Sequence, residues 1–226
     1  MTIAEPRHGL TLVGRRTSHF TRVVAIVADE LGVEVERRSV RDLASQDCAS
    51  YGGNPALKLP VLLTPTGAVY GTENICRALV RRAGGARKAF FTEDLTDERA
   101  QSAQELVWHA MSAQVQWVMG TRVCGLPSDN EYFVKCRLGL EGALKWLEAH
   151  LDAVLSTLPA GQGLSLFEVT LFCLIEHLAF RPTVPLEAYP GLTRFAHLYG
   201  ERPACQRTPY PSEPILAPTS KEPPTC

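Results

Sequence analysis

Two hydroxyl-bearing positions stand where this chain could do chemistry. Ser18, with Thr17 before it, opens a run of apolar residues at helical spacing (Val23, Val24, Ile26, Val27, Leu31), and Gly32 stands where a helix C-cap belongs. Thr72 opens a second such run, with Ile75, Ala78 and Leu79 facing inward. A hydroxyl at a helix start can cap the first turn, or present a donor beside the positive end of the helix, where an anion is favoured. The two roles can coexist, and spacing alone leaves both open. Arg15 and Arg16 border Ser18; they raise local positive potential or are solvated surface residues. Seven cysteines (48, 76, 124, 136, 173, 205 and 226) show no C-x-x-C and no Cys/His ligand spacing, so a structural zinc is not supported. None lies between Leu10 and Arg22, where a protein thiol working beside Ser18 would be wanted. Trp108, Met111, Val115, Met119 and Arg122 recur every three to four residues on one helical face. Such a stripe is a core or dimer seam, or else a permissive apolar wall for a ligand.

The elements that must hold these residues follow from periodicity. Residues 10–14 are a short apolar run ending in glycine, as in a buried strand, and residues 33–40 alternate Val33/Val35 against Glu34/Glu36 as a second strand. With the helix between them, a parallel βαβ unit is the economical reading. Residues 42–53 are polar and predict a short helix running into a loop. Pro60 opens a strand through Leu63, Thr64-Pro-Thr-Gly67 supplies a turn, and residues 68–70 form its antiparallel partner. Thr72 is the expected N-cap of the next helix, which runs to Arg82. This order, βαβ-α-ββα, is thioredoxin-like.

Residues 84–97 read as a polar linker, and beyond it strand signals vanish. Residues 98–122, 130–158 and 164–180 read as helices, the third with the capping-box pattern Ser165-Leu-Phe-Glu168, and a short fourth helix follows Pro190 and ends near Gly200. The expected organisation is an extension (1–9), a thioredoxin-like domain (10–84), a linker (85–95), an all-helical domain (96–208) and a tail (209–226) with six prolines in 18 residues.

At 226 residues with 45% hydrophobic and 21% charged residues, the chain can bury a sizeable core. A net charge of −1 provides no overall field for nucleic acid or an anionic membrane. The longest apolar stretch, residues 164–179, is broken by Glu168, Glu176 and His177, so no membrane span is expected. The opening residues lack the layout of a secretion signal. With an odd, unpatterned cysteine set, that points to reduced thiols in the cytoplasm.

Within this layout, Asn54-Pro-Ala-Leu-Lys58-Leu59-Pro60-Val61-Leu62 resembles the N-P-x-x-K-[VIL]-P-x-L segment of cytosolic glutathione transferases. The resemblance implies a cis Pro60 and a Leu59 whose backbone N–H and C=O pair with the cysteinyl part of glutathione, Lys58 alongside. Only an X-Pro bond adopts cis at modest cost, and the turn lets an extended peptide pair in strand fashion. The family places an acid or amide and then a serine 11 and 12 positions beyond that proline, for the γ-glutamyl end. Here those positions are Gly71 and Thr72, so the hydroxyl is kept and the first side chain is absent, with Glu73 one position late.

In serine- and cysteine-type members the thiol-activating residue precedes the helix-closing residue by 14 positions; from Gly32 this is Ser18, followed by His19-Phe20-Thr21-Arg22 in a motif resembling S-P-F-x-x-R, with His for Pro. Ser18 would then be a hydrogen-bond donor to the glutathione thiolate rather than a nucleophile, with Thr17 as fallback. A donor plus a helix dipole contribute on the order of 2–4 kcal/mol, enough to bring a thiol pKa of about 8.5 down by one to three units. The capping segment at Ser165 and the ending Tyr189-Pro-Gly-Leu-Thr-Arg-Phe195…Arg202-Pro-Ala204 also resemble the family's, so the resemblance spans residues 10–210. It implies a glutathione-transferase architecture, glutathione as co-substrate without a metal, and a small, mostly apolar electrophile lying against Trp108, Met111 and Val115. It also implies a homodimer and a role in detoxification. The alternative is a non-catalytic binding or assembly module on the same fold.

Overall fold

The computed structural model describes residues 9–84, 89–158 and 163–211. Residues 85–88 of the expected linker and most of the proline-rich tail lie outside them.

The N-terminal region is a four-stranded sheet flanked by helices. Strand β1 (Thr11–Gly14) leads to helix α1 (His19–Glu30) and strand β2 (Glu36–Ser39), which lies parallel to β1 as the βαβ reading requires. Strands β3 (Val61–Thr64) and β4 (Gly67–Tyr70) are antiparallel, giving the order β2-β1-β3-β4, and helix α2 (Thr72–Arg82) follows. The polar stretch expected to form a short helix contains one 3-10 turn, Cys48–Tyr51. Leu12 faces α1 and α2, whereas Val13, Val61 and Leu63 face the other way with Val40, the alternation expected of a pleated sheet.

The C-terminal region is helical: α3 (Glu98–Trp117), α4 (Glu131–Thr157), α5 (Leu166–Phe180), α6 (Pro190–Gly200) and the short α7 (Pro203–Gln206). Three of their starts are fixed by side chains that accept first-turn amides. Asp97 Oδ1 takes Arg99 N and Ala100 N, Asn130 Oδ1 takes Tyr132 N, and Ser165 Oγ takes Glu168 N. The start of α6 is held from outside, by Glu148 accepting from Gly191 N (2.7 Å) and Leu192 N (2.9 Å). The end of α3 widens into a π-helical turn, Val118–Val123. One expectation is corrected: strands β5 (Ala89–Phe90) and β6 (Leu164–Ser165) pair in parallel just before α5, two residues each and too short to show a period.

Helix α5 is the shared centre. Phe167, Val169, Leu171, Phe172, Cys173, Leu174, Ile175 and Leu178 are all buried, so most of this helix's circumference is apolar and covered by protein. Among the described residues no helix is long and apolar enough to cross a membrane. One continuous core joins α5 to Val23, Ile26 and Val27 of α1 and to Val107 and Met111 of α3. This places the start of α1 against the helical region.

Candidate active site

Sheet register brings the expected site residues to one end of the sheet. Val13 of β1 pairs with Val61 of β3, and Val61 with Tyr70 of β4. The loop entering α1, the residues before β3 and the residues after β4 therefore lie side by side.

Gly14 ends β1 without a side chain because α1 returns directly over it. A Cβ there would stand 2.4 Å from Thr21 Cγ2. Ser18 is the N-cap of α1, half-buried, with its Oγ accepting from Thr21 N at 3.3 Å. A hydroxyl has two lone pairs and one proton, so this capping bond leaves the Ser18 proton free to be donated. Capping thus does not preclude donating. Thr17 is buried and its hydroxyl accepts from Arg15 Nε (2.8 Å), while Arg15 Nη1 donates to Arg41 O (3.0 Å). Arg15 is therefore a loop tie rather than a solvated charge.

The Leu59–Pro60 peptide bond is cis, as the resemblance implies. The segment before it is stapled by buried Asn54, whose Nδ2 donates to Lys58 O (2.9 Å) and whose Oδ1 accepts from Ala56 N (3.0 Å). Pro60 is buried, Leu59 half-buried, and Lys58 exposed.

Across the sheet end, the N-cap of α2 is Gly71 and not Thr72. Gly71 has φ +84°, a region glycine occupies without strain, and Thr72 is the buried first residue of the helix. No side chain caps α2, so its first-turn amides keep their capacity for an anion. Glu73 is already engaged. Its Oε1 accepts from Arg77 Nη2 at 2.7 Å, and Arg77 also bonds both oxygens of Glu93, at 3.1 and 2.6 Å. The sequence reading missed Asn74. This residue is exposed, its Nδ2 donates to Tyr70 O (3.3 Å), and that nitrogen lies 3.6 Å from where a Cβ of Gly71 would be. An amide spaced one turn from a bare helix cap was the available signal.

The apolar stripe divides. Met111 is fully buried against the core, which removes it from any accessible wall. Val115 is half-buried. Trp108 is half-buried and stacks on Phe20 of α1, ring centroids 5.9 Å apart and planes 7° from parallel. Phe20, two residues after Ser18, is the second residue that sequence reasoning missed; its place in the motif was visible, its stacking partner was not. Arg122 Nη2 donates to Pro182 O (2.5 Å), away from the stripe.

His19, standing where the family motif has proline, is completely buried, with its ring 4.3 Å from that of His177 on α5. Burial, and then His177, push its pKa well below the ordinary value. His177 is lowered to about 3 by burial and the charge of Arg181, with the Thr17 backbone opposing by hydrogen bonding. Gln114 Nε2 lies 3.1 Å from His177 Nδ1 and 3.1 Å from Arg181 O, and Gln114 Oε1 accepts from Thr183 Oγ1 (2.6 Å). An amide N–H can only donate, so His177 Nδ1 is an acceptor on a neutral ring. Both histidines are packing groups at neutral pH. The buried thiols Cys76 and Cys173 are pushed far up by burial, and no group of three or more His, Cys, Asp or Glu side chains among the described residues could hold a metal ion.

Residues 12–87 match the family model described as glutathione S-transferase, N-terminal domain. This stretch of the chain is similar to a glutathione S-transferase N-terminal domain. Three solved structures share the fold of the whole chain. One is a glutathione S-transferase from Methylobacillus flagellatus KT with glutathione bound: 24% identity, TM-score 0.71, covering 88% of this chain and 98% of that one. Another is a glutathione transferase family member from Pseudomonas fluorescens Pf-5 with bound glutathione: 22% identity, TM-score 0.72, covering 89% and 99%. The third is a glutathione S-transferase from Methylobacterium radiotolerans in complex with glutathione sulfonate: 21% identity, TM-score 0.68, covering 90% and 96%. No curated protein matches the chain in sequence. The glutathione-transferase fold thus extends through α7, with a thioredoxin-like unit first and helices after it, and Ser18, Leu59, Pro60 and Thr72 all fall inside the family-matched residues.

Proposed function

We propose that the protein is a glutathione transferase that binds glutathione at this sheet end, lowers the pKa of its thiol, and directs the thiolate at a small, mostly apolar electrophile. The observation that carries the reading is Ser18 itself. Its Oγ is pinned by Thr21 N and its proton is unspent at the positive end of α1, where a thiolate would be stabilised. The cysteinyl backbone of glutathione pairs with Leu59, with Lys58 beside it, and the γ-glutamyl carboxylate sits on the uncapped amides at Thr72. Asn74, rather than Glu73, meets the γ-glutamyl end, its Nδ2 standing next to the place left empty at Gly71, where it donates to the γ-glutamyl carboxylate. In the reaction the glutathione S–H gives up its proton to solvent, and the sulfur lone pair forms a bond to the electrophilic carbon as that carbon's π bond opens and its electron pair takes a proton from solvent, or as its bond to a leaving group breaks and the pair departs with that group. Ser18 holds the thiolate beforehand without itself becoming covalently bonded. The Phe20–Trp108 pair, with Val115 beyond it, forms the wall against which the electrophile lies. A cytoplasmic homodimer serving detoxification, with residues 10–84 as the glutathione-binding domain and 96–208 as the helical one, completes the reading.

A non-catalytic module on the same scaffold is the second reading, favoured by the bare Gly71 and the committed Glu73. Calorimetric titration with glutathione separates the two. Saturable binding at or below millimolar glutathione supports the transferase, and absence of binding there removes it.

A further inference from the structure

A second cleft, with a volume of about 90 Å³, opens on the β2 side of α1, between the end of β1, the edge strand β2, the first turns of α1 and the segment at Thr208. Ser18, Leu59, Pro60 and Thr72 do not line it, although Gly14, Arg15 and Thr21 stand between the two sites. Arg15, Arg16, Arg22, Arg37 and Arg38 all line it, and no acidic residue does. In a chain whose net charge is −1, five arginines lining one cleft form a local feature and do not reflect the composition.

Three of these arginines come from separate elements. Arg37 pairs in register with Leu12, which puts its side chain on the helix-facing side of the edge strand, and Arg16 lies in the loop after β1. Arg22 is 6% exposed, reaching in from α1. The Arg22 guanidinium lies over the rings of Phe172 and Tyr210, its Nη1 is 3.7 Å from Glu176 Oε2, and its Nε has no hydrogen-bond partner among the described residues. A buried N–H left without an acceptor is costly, and a ligand oxygen would meet it. Partial desolvation of its guanidinium, although the residue is exposed, and then the charge of Arg16 push the Arg37 pKa down, with Asp29 opposing. Asp29 is itself held by Arg207 through both carboxylate oxygens, and among the described residues no carboxylate forms an ion pair with Arg16 or Arg37 to offset their mutual repulsion.

We infer that this cleft binds a phosphate monoester, its phosphate held among Arg16, Arg22 and Arg37 and its organic portion lying on Leu12 and Ala25. A carboxylate has two oxygens and fits one guanidinium fork, whereas a phosphate monoester has three acceptor oxygens and nearly two charges for donors arriving from three directions. The inference stands apart from the glutathione reading, since either site can fail without the other.

The test is calorimetric titration of the full chain with phenyl phosphate, inorganic phosphate and benzoate at constant ionic strength, on the unaltered protein and on the exposed-residue variant Arg16→Ser/Arg37→Ser. Phenyl phosphate and inorganic phosphate are both expected to bind, with benzoate weaker than phenyl phosphate and the variant weaker than the parent by about tenfold or more, as for the loss of charge-assisted hydrogen bonds. Glutathione affinity is expected to be the same in both proteins. Equal binding of benzoate and phenyl phosphate, undiminished phosphate binding by the variant, or no phosphate binding up to about 10 mM, weaker than any specific site of this kind, overturns the inference.

Discussion

Phe20, on the first turn of α1, and Trp108, midway along α3, lie face to face with ring centroids 5.9 Å apart and planes 7° from parallel. The contact joins the sheet to the helical region close to Ser18, and both rings keep some of their surface in solvent. Trp108→Ala removes half of that wall. The KM for an apolar electrophile is expected to rise about tenfold, the loss of one aromatic stacking partner and its apolar area, with glutathione affinity unchanged. Steady-state kinetics with each substrate varied in turn checks the split.

The approach of α1 to the end of β1 leaves no room for a side chain at Gly14. Gly14→Ala is expected to lose about 1–3 kcal/mol of stability, because both Thr21 Cγ2 and Thr21 Oγ1 stand within 2.6 Å of the added carbon. Gly14→Ala/Thr21→Ala removes those two atoms and is expected to recover most of the loss. Urea unfolding of the single and double variants measures it.

The fold was legible wherever the chain repeats a period. Alternating valines, the long apolar helix faces, Gly32 and the proline-led starts gave the strands and helices in order, and the motif around Pro60 led to the residues at the sheet end. What escaped depends on contacts between distant segments. β5 and β6 have two residues each and exist only through each other. Met111 matches Trp108 in spacing, yet the shared core that contains α5 covers it completely. Thr72 has the better capping side chain, but the +84° φ of Gly71 makes the glycine the cap. The arginine cleft gathers residues from β1, β2, α1 and the segment at Thr208, with no local pattern to announce it.

At the start of α2, Asn74 and Glu73 have opposite expected phenotypes. Asn74→Ala is expected to raise the Kd for glutathione about tenfold through loss of a donor to the γ-glutamyl carboxylate. Glu73→Gln breaks a partly exposed ion pair with Arg77 and is expected to cost about 0.5 kcal/mol of stability while leaving that Kd within about twofold. Titration calorimetry and thermal unfolding of both variants distinguish the roles.

The buried histidines make stability depend on acidity. The folded-state pKa of His177, about 3, lies below the ordinary 6.5, so the unfolded chain binds the extra proton between those values. Stability is therefore full above pH 6.5 and is lost as pH falls from there toward 3. Each such histidine contributes a slope of about 1.4 kcal/mol per pH unit where only the unfolded form is protonated. His177→Gln is expected to flatten the dependence by about that slope, leaving the share of His19, whose shift has the same sign. Urea midpoints measured across this range give both slopes.

The central claim is that Ser18 donates to the glutathione sulfur, and the ultraviolet absorbance of bound glutathione thiolate, followed against pH, tests it most directly. In the unaltered protein the bound thiol is expected to titrate one to three units below its free value of about 8.5. In Ser18→Ala glutathione is expected to remain bound, because Leu59 and the start of α2 are intact, while its thiol pKa returns most of the way to the free value. Loss of the cap will also lower stability by about 1 kcal/mol, which does not bear on the thiol. A bound thiolate titrating at the same pH in Ser18→Ala as in the unaltered protein would contradict the assignment.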